Sequence, residues 1–158
     1  MSSTVAHAAA ASWIAVTAAH VQPHESSYIL AAVISAGILD LDHVFFVIRD
    51  RDMYRRLGYR DNLHHARSVF HELAGLLVVG ALSGLLFFAD QKLACVVFLA
   101  FALHVIQDWL LSKSAPLSPV DDTAVQLFAL SFKQKVIVDV CIVILFGGLW
   151  ILYLAGCL

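Results

Sequence analysis

The residues most able to do chemistry lie in and beside apolar runs. "ILDLDHVFF", residues 38–46, ends a long hydrophobic stretch with Asp40, Asp42 and His43. Downstream, "FHELAGLL" opens another with His71 and Glu72, and "LHVIQDWLL" carries His104 and Asp108 inside a third. His7 stands near the start of the first, in "AHAAAASWIAV". Ionisable groups at membrane depth are costly, and they face a bundle interior, in pairs or at a functional site. Imidazoles and carboxylates without cysteine make a donor set suited to Zn, Mn or Fe, not to a soft metal. With His7, Asp40, Asp42, His43, His71, His104 and Asp108 there are seven candidate ligands. Three or four would serve one zinc with an open position, and seven suggest two ions close together, an arrangement used to attack phosphoesters.

Spacing constrains how these groups meet. His104 and Asp108 are four apart and share a helix face, and Asp40 and His43 are three apart and do the same. Asp42 is rotated roughly 200° from Asp40 on a regular helix. Either the helix changes its winding there, or Asp42 orients a ligand from behind.

The elements that must position these residues follow from composition. Of 158 residues, 61% are hydrophobic and 14% charged, and the mean hydropathy is +0.83. A water-soluble domain of this size needs more charge on its surface. Net charge is −2, which points to no nucleic-acid partner. Five apolar segments, at about 5–21, 27–47, 69–89, 93–112 and 134–157, approach the ~20 residues that cross a bilayer. The first has no Lys or Arg before it and no clear cleavage site after it, so it is expected to be retained as a helix. Without an internal repeat or linker, the expectation is all-α: a polytopic transmembrane helical bundle of about five spans, forming a single integral membrane domain over 1–158. After a cap signal with Ser118 as N-cap, Pro119 at the first helical position and Asp121 at the capping-box position, "DTAVQLFALSF", residues 122–132, is expected to form a short amphipathic helix at the interface. Cys95, Cys141 and Cys157 lack paired spacing and read as small apolar residues.

Basic residues set the orientation. Arg49, Arg51, Arg55, Arg56, Arg60 and Arg67 fall between the second and third segments, and Lys113, Lys133 and Lys135 flank the connection between the fourth and fifth. Such loops stay in the cytoplasm, which places the N-terminus inside and the C-terminus outside a cell membrane. This topology, drawn from Lys and Arg alone, puts all seven candidate ligands in the cytoplasmic leaflet. His20 and His24 fall on the other side.

These motifs resemble the small membrane-bound metal-dependent hydrolases associated with the bacterial inner membrane. Family features matched here are the N-terminal histidine at His7, "DLDH" at 40–43, an Arg-x-x-x-His element at Arg67 and His71, and "HVIQD" at 104–108. The resemblance covers about residues 5–120. The family often reads His-Arg-Gly-x-Thr-His-Ser before its third helix. Here Ala66, Ser68, Phe70 and Glu72 depart from that pattern, and Arg60 with His64 offers a second register beside His65. His71 is preferred because an apolar helix follows it directly.

The resemblance implies hydrolysis assisted by a divalent metal, Zn or Mn, as one or two ions. Arg67 would clamp a phosphate in bidentate fashion, and Asp42 or Glu72 would take the proton. A site in the cytoplasmic leaflet points to membrane lipids as partners and to a lipid or other amphiphilic phosphoester as substrate. The basic 48–68 connection would attract anionic headgroups. Two other classes remain: a metal-ion or proton-coupled transporter, although little polar lines the outer half, and a haem electron carrier using His71 and His104, which would not need "DLDH". A structural adaptor leaves the clustered charges unexplained.

Overall fold

The computed structural model of the chain describes residues 4–41, 45, 48–49, 51–57, 68–111, 113–121 and 123–158. Helices dominate: α1 (Thr4–Ala18), α2 (Ser26–Gly37), the short polar α3 (Arg51–Leu57), α4 (Leu73–Phe87), α5 (Gln91–Leu111) and α6 (Phe132–Leu154). Two 3-10 turns, Ile38–Asp40 and Val69–His71, extend α2 and precede α4. The fold is all-α, with five apolar helices.

Two of those five, α5 with 21 residues and α6 with 23, are long and apolar enough to cross a bilayer. Among the described residues, the segments expected at about 5–21, 27–47 and 69–89 carry the shorter apolar helices Thr4–Ala18, Ser26–Asp40 and Leu73–Phe87, with Leu41, Phe45 and Ile48 helical again beyond Asp40. Each ends for a local reason. The backbone of α1 turns at His20, whose φ of 52° lies in the left-handed region. The Val21 N–H then donates back to the Val16 carbonyl at 2.9 Å, a common way to satisfy the last carbonyls of a helix. At Gly37, α2 tightens into a 3-10 turn, and α4 begins only after the extended residue Glu72.

Alanine explains the place of α1. Ala6, Ala10, Ala11 and Ala15 are all buried, and α1 packs against α2, α5 and α6. Small side chains let backbones approach closely where lipid removes the ordinary hydrophobic drive. The helix with the smallest side chains thus becomes the axis of the bundle. In contrast, α6 turns Ile137, Ile144, Leu145 and Ile151 outward and docks on α1, with Trp150 Nε1 donating to the Ala9 carbonyl at 3.1 Å. Its start is capped reciprocally by Ser131 and Gln134.

The end of the bundle away from the candidate ligands is tied by polar contacts. Lys92 Nζ lies 2.7 Å from Glu25 Oε2, and the Tyr28 hydroxyl donates to Asp90 Oδ2 at 2.9 Å. Asp90 Oδ1 accepts from the Leu93 N–H at the start of α5. The hydrogen bond from Lys92 holds the Glu25 carboxyl below its ordinary range, and that from Leu93 does the same for Asp90.

The helix expected over 122–132 is not seen among the described residues before Phe132: 113–121 and 123–130 run as turns and irregular chain, with an isolated bridge between Ser114 and Val125. Asp121 Oδ1 accepts from the Thr123 N–H at 2.8 Å and from its hydroxyl at 2.6 Å. Local bonds of this kind compete with helix. The Val125 N–H is committed to the Ser114 carbonyl at 2.7 Å, so it is not available to a helix.

Candidate metal centre

Five of the seven expected ligands meet at one end of the bundle. His7 comes from the first turns of α1, Asp40 from the 3-10 turn after α2, His71 from the 3-10 turn before α4, and His104 and Asp108 from the last turns of α5. Alternating helix directions bring two starts and two ends to the same level. His71 and His104 are fully buried, with His7 at 2% and Asp108 at 4% exposure.

His104 Nε2 lies 3.6 Å from Asp108 Oδ2 and 3.7 Å from Asp40 Oδ1. His71 Nε2 lies 3.8 Å and 3.9 Å from the same two oxygens. Ligand atoms around a four-coordinate zinc, each about 2.0–2.1 Å from the ion, stand roughly 3.3–3.4 Å apart. The observed separations are close to that and beyond hydrogen-bonding range. Asp108 also turns its Oδ1 toward His7 Nδ1, at 3.5 Å. Two three-residue groupings suited to a metal ion result, His7–His104–Asp108 and Asp40–His71–His104, with His104 in both. The imidazoles pack edge to face, His7 on His104 at 5.2 Å and His71 on His104 at 6.0 Å between ring centroids.

The polar balance of the cluster fits a cation. Neither ring nitrogen of His104 has a hydrogen-bond partner among the described residues, nor does Nε2 of His7. Buried polar atoms left in that condition cost roughly 1–3 kcal/mol each. Two carboxyl groups beside three imidazoles make an oxygen and nitrogen donor set suited to a divalent cation. Either grouping, His7–His104–Asp108 or Asp40–His71–His104, offers three donors to hold it.

Other expected residues fall elsewhere. The winding of α2 does change at Ile38–Asp40, but Asp42 and His43 lie outside the described residues, as do His64, His65 and Arg67. His71, preferred on sequence, is the described helix-4 histidine that enters the cluster. Glu72 is buried, and both of its oxygens are engaged: Oε2 accepts from Trp109 Nε1 and Oε1 from the Ala115 N–H, each at 3.0 Å. His20 and His24 lie at the opposite end, beyond α1. Sequence reasoning missed Trp109 and Ala115, which meet Glu72. The available signal was an indole N–H beside Asp108, a group that seeks an acceptor when its ring is packed.

Neither a curated protein nor a solved structure is significantly similar to the chain. A family pattern, in contrast, matches residues 1–157, and that family is described as membrane-bound metal-dependent hydrolases. With a match over nearly its whole length, the chain belongs to the YdjM inner membrane protein family.

Proposed function

We propose that this protein is a membrane-embedded metal-dependent hydrolase that cleaves a phosphoester of a lipid or other amphiphilic substrate at the cytoplasmic leaflet. The observation that carries the reading is the meeting of His71, His104, Asp40 and Asp108, with N–O separations of 3.6–3.9 Å. A divalent ion there, Zn or Mn, supplies Lewis acidity toward a phosphoryl oxygen and lowers the pKa of water near neutrality.

The chain's own residues do the rest. His71 and His104 offer ring nitrogens to the ion, while Asp40 and Asp108 offer carboxyl oxygens. Asp108 directs one oxygen toward His71 and His104 and the other toward His7, a bridging posture that favours a second ion. Asp42 and His43 are the remaining donors for that position. Arg67 is the phosphate clamp, and Asp42 the proton acceptor. Lys and Arg in the 48–68 connection keep that side cytoplasmic and draw anionic headgroups to it. On this reading all five apolar helices cross the membrane, with the three shorter rods tilted little or locally thinning the bilayer. A haem would need the space between His71 and His104, where Asp40 and Asp108 each approach both Nε2 atoms.

The test is to purify the protein in detergent, quantify bound metals and assay phosphate release from phospholipid and polyprenyl phosphate micelles. Bound Zn or Mn at one or two equivalents, with release abolished by chelation and restored by the metal, supports the reading. Metal-dependent ion uptake into vesicles without hydrolysis would replace it with transport.

A further inference from the structure

His71 sits on a short turn, not on a helix, so something else must fix it. Two features do. The first is Gly75 in the opening turn of α4. A Cβ at that position would lie 2.0 Å from the Phe70 carbonyl oxygen, 2.6 Å from its carbon and 2.7 Å from its Cα. The backbone of the Val69–His71 turn therefore folds down directly on α4, in space that only glycine leaves open. Those contacts are with main chain and cannot rotate away.

The second is the carboxylate of Glu72, 4% exposed. It accepts from the Trp109 indole, one residue beyond Asp108, and from the Ala115 N–H in the segment after α5. The Leu73 N–H donates to the Pro116 carbonyl at 3.2 Å. These bonds join the residue after His71 to the residue after Asp108 and to the chain that leaves α5. A buried carboxylate is tolerated when its lone pairs are filled in this way. Each oxygen is thus held by a donor of the protein itself, the Trp109 indole or the Ala115 N–H.

We infer that Glu72 and Gly75 are positioning residues: they hold the His71 turn in register with His104 and Asp108, and Glu72 acts through Trp109 and Ala115, not on substrate. The inference rests on the metal-centre reading. It gives Glu72 a different part from the proton shuttle its place beside a ligand suggests.

The experiment compares full-length wild type with Glu72→Ala, Glu72→Gln, Gly75→Ala and Trp109→Phe in detergent. Zinc affinity is measured by competition with a chromophoric chelator, and the visible spectrum is recorded after Co(II) loading. Loss of a group that orients a ligand typically weakens metal binding by roughly 10–100-fold. Glu72→Ala and Gly75→Ala should each do so and shift the Co(II) bands. Glu72→Gln, which keeps one acceptor oxygen, should fall between Glu72→Ala and wild type. Trp109→Phe added to Glu72→Ala should cost little more, because the two share one bond. Should Glu72→Ala fail to fold, Trp109→Phe alone still has to weaken zinc and shift the bands.

Wild-type affinity and Co(II) spectrum in Glu72→Ala and Gly75→Ala would overturn the inference. So would Glu72→Gln with unchanged affinity but an altered pH–rate profile, the mark of a proton carrier. A wild type that takes up no metal overturns the metal centre itself and the inference with it. That result is distinct from a wild type and a Glu72→Ala protein that bind equally.

Discussion

His104 and Asp108 stand one turn apart on α5, with Nε2 3.6 Å from Oδ2, and between them they touch every other described member of the cluster. His104 meets Asp40, His7 and His71, while Asp108 meets His7 and His71. One helix therefore supplies the hub, and three others each bring one group to it. The i, i+4 spacing makes this pair rigid, so the geometry of the site depends on how the other three elements dock.

Replacing a donor of the cluster should cost more than replacing any residue that supports one. His104→Ala and Asp40→Ala should each weaken zinc more than the roughly 100-fold upper end seen for orienting groups. Helical circular dichroism should persist. His24→Ala, at the far end of the bundle, should bind as wild type does. Plasma emission on the purified variants measures this.

Metal removal should also destabilise. An ion bound only by the folded state adds about 4 kcal/mol at a thousand times its dissociation constant. Without it, the carboxylates of Asp40 and Asp108 lose the cation that would offset them beside His71 and His104. Chelation should therefore lower the melting temperature in detergent, and added zinc should restore it. In His104→Ala the two curves should coincide.

The alanines of α1 should be intolerant of size. Ala11 is fully buried in the main core cluster, and overpacking such a position costs about 1–3 kcal/mol. Ala11→Leu should lower stability by that amount, or the helices should separate. Leu145→Ala on the outer face of α6, where Leu145 is 58% exposed, should change stability by less than about 0.5 kcal/mol. Unfolding in mixed micelles distinguishes the two.

The cap of α6 is a separate local test. Ser131 accepts from the Gln134 N–H, while the Gln134 side chain accepts from the Ser131 N–H. Ser131→Ala should cost about 1 kcal/mol and speed hydrogen exchange in the first turn of α6, with the cluster end of α1 unaffected.

Acid should weaken the opposite end of the bundle. The carboxyls of Glu25 and Asp90 are held below their ordinary range by Lys92 and by the Leu93 N–H respectively. A depressed folded pKa gives stability that is fully present above the unfolded value and is lost as pH falls through the folded one. The melting-temperature gap between wild type and a Glu25→Gln, Asp90→Asn double variant should be largest above about pH 5 and close below about pH 3. Both groups are partly open to solvent, so the gap should shrink with salt.

By itself the sequence indicated which ionisable side chains would share one level of the bundle. Apolar runs force helices, because in lipid every backbone polar group must be satisfied internally. Alternating direction then carries charges at segment ends to a common layer. That much placed His7, Asp40, His71, His104 and Asp108 together before any coordinates. Only the tertiary structure decided what depends on contacts between distant segments. Helical periodicity could not show that the chain around Asp40 and His71 tightens into 3-10 turns. Nothing local in Glu72 tells that Trp109 and Ala115, 37 and 43 residues away, would occupy its oxygens. The amphipathic pattern near residue 125 suggested a helix, yet a pairing with Ser114 took its N–H groups. Composition made α1 look like the weakest span, and packing made it the centre, since closeness of approach, not hydropathy, decides which helix the others surround.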